Sequence, residues 1–242
     1  MHKFFKVCIT ALGLSLFAGC ASIPATIPFT APVKADAKIG ILLSENSKAS
    51  ANYTGSIGLL DLAIIATANS KLNKHLGELK FTSFDEMGTK IEAMLDEKGF
   101  DASVIETRLD NKTANKLKTH KDGTSLNDYS TYKQKYGLDY ILVLRMEHIG
   151  TTRPYYAPVP TAPPTATATI WGELVNLQDK KVSWYRLTNT NLSIPTPWDE
   201  EGFPNLTNEV YSSLEKTIES IKHDLNTAST AAKPAITEPA AK

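Results

Sequence analysis

Five consecutive apolar residues, Tyr140-Ile141-Leu142-Val143-Leu144, constrain this chain more than any other stretch. Successive strand side chains point to opposite faces, so an unbroken apolar run needs cover on both. Residues 138–147 therefore read as a central strand whose second, alternating half emerges toward solvent. Residues 38–43 (Lys-Ile-Gly-Ile-Leu-Leu) read the same way, closed by Ser44, Glu45 and Asn46. Two covered strands imply helices on both faces of a sheet.

The elements between them follow from periodicity. Residues 44–55 are polar and loop-like. Residues 57–68 are apolar nearly all round, and the helix extends toward His75. Such a helix is buried between layers, or meets a partner or membrane surface; a strand is the third option. At this length it cannot cross a bilayer. Ser83-Phe84-Asp85-Glu86 has the form of a capping box. Phe84, Met87, Ile91, Met94 and Leu95 then make one helical stripe, closed by Gly99. Residues 100–107 read as a strand and 111–123 as a loop. Ser125 is a candidate cap for a helix lined by Leu126, Tyr129, Tyr132 and Tyr136 and stopped by Gly137. Residues 151–164 hold five prolines, which argues against helix or inner strand. Residues 166–174 and 182–187 alternate threonines and aromatics about a polar turn, a hairpin pattern. A last amphipathic helix begins near Asn205 and carries Leu206, Val210, Leu214, Ile218, Ile221 and Leu225. The expectation is an α/β fold: a mixed β-sheet sandwiched by helices, with a long C-terminal β-hairpin and a final amphipathic helix.

The beginning of the chain has a different character. Lys3 and Lys6 precede an apolar run from Val7 to Ala18, the form of an export signal. The run is too short for a permanent membrane span. Leu16-Phe17-Ala18-Gly19-Cys20 resembles the lipobox of bacterial lipoproteins. The resemblance implies cleavage after Gly19 and fatty acylation of Cys20, palmitate included. An ordinary cleaved signal with a coincidental cysteine is the alternative. The domain boundaries read as 1–19 signal, 20–37 proline-spaced flexible tether, 38–225 a single α/β periplasmic domain, and 226–242 a disordered tail. Ala21-Ser22 after the cysteine implies passage to the outer membrane, with the body facing the periplasm.

Charge and cysteine content exclude several classes. The chain has 26 basic and 26 acidic residues, so it lacks the basic excess of a phosphate-tracking nucleic-acid binder. Cys8 and Cys20 are its only cysteines; once the first is cleaved and the second acylated, no thiol remains for disulfide, zinc or catalysis. No nucleophile elbow, phosphate loop or paired zinc histidines occur. Glu147-His148 would point to opposite faces, and Asp199-Glu200-Glu201 reads as a solvated patch. The expectation is no enzyme, no cofactor and no metal.

Three segments carry a family likeness. Residues 38–43, the joint Tyr136-Gly137-Leu138-Asp139-Tyr140-Ile141-Leu142, and the turn Leu177-Gln178-Asp179-Lys180-Lys181-Val182-Ser183-Trp184 resemble small outer-membrane lipoproteins with a TolB amino-terminal-like domain. That group includes penicillin-binding-protein activators and the curli secretion lipoprotein. The likeness implies a lipid-anchored accessory that binds another envelope protein in assembly, secretion or cell-wall synthesis. The alternative is a self-assembling outer-membrane secretion-pore subunit, a homo-oligomer. Candidate partner-binding residues are Tyr155, Tyr156, Pro158 and Pro160 on the proline-rich loop. Trp171 and Trp184 are candidates as well, read either as a cross-strand packing pair or as a ligand platform.

Overall fold

A computed structural model describes residues 25–29 and 36–227. The strands are β1 (Lys38–Leu43), β2 (Ser50–Ser56), β3 (Asp101–Val104), β4 (Tyr140–Tyr156), β5 (Val159–Pro160), β6 (Thr165–Asn176) and β7 (Val182–Ser193). The helices are α1 (Leu59–Ala68), α2 (Ser70–Glu78), α3 (Thr82–Asp96), α4 (Asn111–Ala114), α5 (Ser130–Tyr136) and α6 (Pro204–Thr227).

The strands form one open, mixed seven-stranded sheet in the order β3-β1-β4-β6-β7. β1 lies parallel to β3 and to the first half of β4. β4, β6 and β7 form an antiparallel meander. β4 is the spine: 17 residues, about 55 Å at 3.3 Å per residue. Its first half is flanked by β1 and its second half by β2. One face packs on α2, α3 and α6 through Ile39, Leu142, Leu144, Ile170 and Trp184. The other face is covered by α4, α5 and their connections through Leu42, Tyr129, Leu138, Ile141, Val143, Trp171 and Tyr185. The sequence expectation of an α/β sandwich holds, including the hairpin and the six-residue apolar stripe of α6.

Four local expectations need correcting. The segment read as a loop before Gly55 contains β2, which pairs Ser50 with Gly150 and Ser56 with Tyr156 in parallel. The proline-rich segment is not all loop: β4 runs on through Pro154 to Tyr156, and Pro160 returns opposite Tyr155. Ser83 caps nothing; α3 begins at Thr82, and Glu86 pairs with Lys90 at 3.0 Å. Ser125 does not cap α5, which starts only at Ser130.

Part of the expected tether is seated on the domain. Ile27 forms an antiparallel bridge with Tyr185, with N–H···O distances of 3.0 and 2.9 Å. Phe29 is buried in the main core. Cys20 and residues 228–242 lie outside the described residues.

Candidate interaction surface

The β2–β4 ladder carries the surface of interest at its end. Two glycines allow its strands to close. Gly150 (φ +137°) faces Ser50 and Gly55 (φ +108°) faces Tyr155, and a Cβ on either would sit 2.1 Å from a backbone oxygen. Beyond Ser56 the chain turns into α1. The Asp61 carboxylate accepts the Gly58 N–H at 2.9 Å, satisfying one donor at the helix start. At the other end the Asn69 amide donates to Ile65 O (2.8 Å) and to the Tyr155 hydroxyl (3.0 Å), which breaks α1 from α2. α2 then packs back along β2, where Asn73 donates to the Tyr53 hydroxyl at 3.0 Å.

α1 is inside out. Asp61, Ile65 and Asn69 stand four residues apart and share one side of a helix. Ile65 is 1% exposed, Asn69 is buried and Asp61 is half-buried, so this side faces the body. The rest of the surface faces water: Leu59 is 92% exposed, Leu60 76%, Leu62 44% and Ile64 49%. A surface helix normally shows the reverse polarity. The expectation of a core helix is therefore overturned, and the contact alternative fits. Fully burying a leucine is worth roughly 1.5–3 kcal/mol, most of which the fold leaves unused at Leu59 and Leu60 and about half at Leu62 and Ile64.

The β4–β5 turn extends the patch. Tyr156 and Val159 pair across the hairpin, and both are exposed, as is Pro160; Pro158 is half-buried. Of the eight large apolar side chains exposed among the described residues, only Leu126 and Leu187 lie off α1 and this turn. Tyr155 points inward, its ring edge-on to Tyr53 at 5.6 Å. Arg153 lies 4.8 Å over Trp198 and donates to Ala162 O at 3.0 Å, which stiffens the turn's base.

The two tryptophans are not a pair. Trp171 sits opposite Leu187 and Trp184 opposite Leu174, and they fall in the two different cores on opposite faces of the sheet. Both are buried, so neither offers a platform.

The sequence reading missed a buried polar cluster on the second face. Glu173 Oε1 accepts from Ser125 Oγ (3.0 Å), Asn127 Nδ2 (2.9 Å) and Tyr129 OH (2.7 Å). Burial raises the Glu173 carboxyl above its ordinary range, against the three hydrogen bonds that lower it. Burial, and then the neighbouring Glu173, push the Tyr129 phenol up. Asn127 also exchanges two 2.8 Å hydrogen bonds with the Lys118 backbone. Arg145, beside it, stacks 5.2 Å over Trp171, donates to Ala114 O and pairs with Glu147. The cluster straps the connection between β3 and β4 onto β6. Its signal lay in the strand alternation, which places Glu173 on the same side as Trp171 and Val175.

Glu147 and His148 do not act together. The β4–β6 register shifts between Met146 and His148, and Glu147 turns to Arg145. Burial lowers the His148 pKa. Asp199, Glu200 and Glu201 are loop residues, and all three are exposed. Among the described residues no group of three His, Cys, Asp or Glu is placed to hold a metal, and no helix is long and apolar enough to cross a membrane.

No protein-family model and no curated protein matches the chain. Among solved structures it is similar to the hypothetical protein CT253 from Chlamydia trachomatis (12% identity, 82% of this chain and 100% of that one, TM-score 0.39). It is also similar to lipoprotein GNA1162 from Neisseria meningitidis (12%, 74% and 99%, 0.27). A third likeness is to the LpoB C-terminal domain from Salmonella enterica (11%, 66% and 86%, 0.20). Each of these TM-scores is low, so the likenesses decide nothing about what the chain does.

Proposed function

We propose that the chain is a non-enzymatic, lipid-anchored protein of the bacterial outer membrane that faces the periplasm. It binds another envelope protein as an accessory in assembly, secretion or cell-wall synthesis. The observation that carries this is the concentration of exposed apolar side chains at one end, on α1 and the Tyr156–Val159 turn. A folded domain that buries Trp171 and Trp184 and leaves these in water is shaped for contact. The lipobox form of residues 16–20 supplies the location, and the mature neutral charge balance fits a protein partner better than a nucleic acid.

Two measurements test it. Cells fed a radiolabelled palmitate should label the wild type and not Cys20→Ala, which should also keep its leader; equal labelling removes the anchor. A photo-crosslinker at Tyr156 should trap one discrete envelope protein, and the pair Tyr156→Ser and Val159→Ser should lose it from pull-downs. Both side chains are exposed, so the fold survives the change. Crosslinking only to further copies of the same chain, with a ring-sized mass by light scattering, would replace this reading with the pore subunit.

A further inference from the structure

We infer that the outward face of α1 lies in the lipid surface to which Cys20 is attached. The inference rests on the anchored reading above and names what that end of the molecule touches first.

Chain direction brings the two features together. Ile27 runs antiparallel to β7 at Tyr185, so the residues before it lead toward the Ser193 end of β7. Ser193 pairs with Thr165, Thr165 with Thr152, and β4 then ends at Tyr156 beside Ser56. That is the end from which α1 projects. Cys20 precedes Ile27 by seven residues, at most about 25 Å of extended chain. The eight steps from Tyr185 to Ser193 cover about 26 Å. Fully extended, that length brings Cys20 to about the level of Ser193 and Thr152, four strand residues (about 13 Å) short of the Tyr156 end from which α1 leaves.

The chemistry of α1 suits lipid better than a single protein groove. A groove covers one side of a helix, whereas here the surface outside the Asp61–Ile65–Asn69 line is open and, apart from Thr67 whose hydroxyl donates to Ala63 O, apolar. Asp61 is the one charge between residues 57 and 70, and it is turned toward the body. A helix lying in the membrane interface sinks such a face about 5–10 Å below the headgroups. Tyr156 beside it has the apolar ring and polar tip favoured at that depth. The acyl chains hold the protein on the membrane; α1 fixes which way up it stands. The envelope partner of the Tyr156–Val159 turn is then met at membrane level.

The test uses the mature lipoprotein, whose one remaining cysteine is acylated, so Leu60→Cys gives a single thiol. An environment-sensitive fluorophore there should shift to the blue on reconstitution into phosphatidylethanolamine–phosphatidylglycerol vesicles. It should be quenched by lipid-borne nitroxide and protected from aqueous iodide. The same label at Lys121→Cys, on the opposite end, should stay in water. A label at position 60 that iodide quenches fully, with no blue shift, overturns the inference. So does a blue shift that appears without vesicles and grows with protein concentration, which assigns the face to a second copy. Protein that fails to bind vesicles and labels at Cys20 as well sinks the anchored reading instead.

Discussion

Glu173 offers three donors a single shared oxygen and leaves its second oxygen buried without a donor. Removing the acceptor strands the Ser125, Asn127 and Tyr129 donors, so Glu173→Ala should cost roughly 1–3 kcal/mol in urea unfolding. Glu173→Gln keeps the acceptor and should cost less. The pH dependence follows from burial, which raises the folded carboxyl above its unfolded value of 4.5. A raised acid stabilises the fold below the unfolded value and loses that stability as pH rises through the folded one. The wild type should therefore lose stability relative to Glu173→Gln as pH increases from about 4 upward. A parallel pair of pH profiles would refute it; the paired comparison cancels the opposite contribution of His148. At this scale the sequence was legible wherever one side chain meets one rule. Gly99 and Gly137 end α3 and α5 with φ of +86° and +65°, as their position after helical stripes implies. Glu173 escaped because alternation alone does not tell a polar residue facing solvent from one facing a loop.

Elements were readable in proportion to how much they bury. β1, β6, β7 and α6 carry regular apolar periods, and their positions follow from them. β2 is Ser-Ala-Asn-Tyr-Thr-Gly-Ser, half open to water, with no apolar period to find. It exists because β4 continues past the core and offers a ladder, which Pro154 does not interrupt: it has no N–H to satisfy, and its carbonyl accepts the Thr161 N–H of the β4–β5 turn at 3.0 Å. α1 was visible as a helix, but its apolar composition pointed to a core that is not there. Gly150→Ala tests the ladder. The alanine would take a left-handed φ and strike Ser50, a local loss of about 2 kcal/mol or more. Amides of β2 should then exchange hydrogen much faster, while those of β1 and α6 keep their protection. Unchanged exchange in β2 would show that the pairing does not depend on close approach.

For the whole molecule, the main correction is where the body begins. Ile27 and Phe29, which the sequence pattern gives to a tether, belong to its packing. Phe29→Ala should cost about 3 kcal/mol, the usual loss for a buried phenylalanine, and should expose residues 25–29 to limited proteolysis. Stability within a few tenths of a kcal/mol of wild type would return that segment to the tether. The proline spacing of residues 21–37 hid this, because one backbone bridge and one aromatic leave no period.

The length of β4 carries a consequence of its own. On the proposed attachment, acyl chains and leucines grip the bilayer from the same pole, and the sheet stands up from it like a post. The Gln178–Lys181 turn, at the opposite pole, is then carried some 50 Å above the lipid. Lys133, whose Nζ donates to Leu177 O at 3.1 Å, is carried to that height with the turn, out of reach of anything confined to the membrane plane.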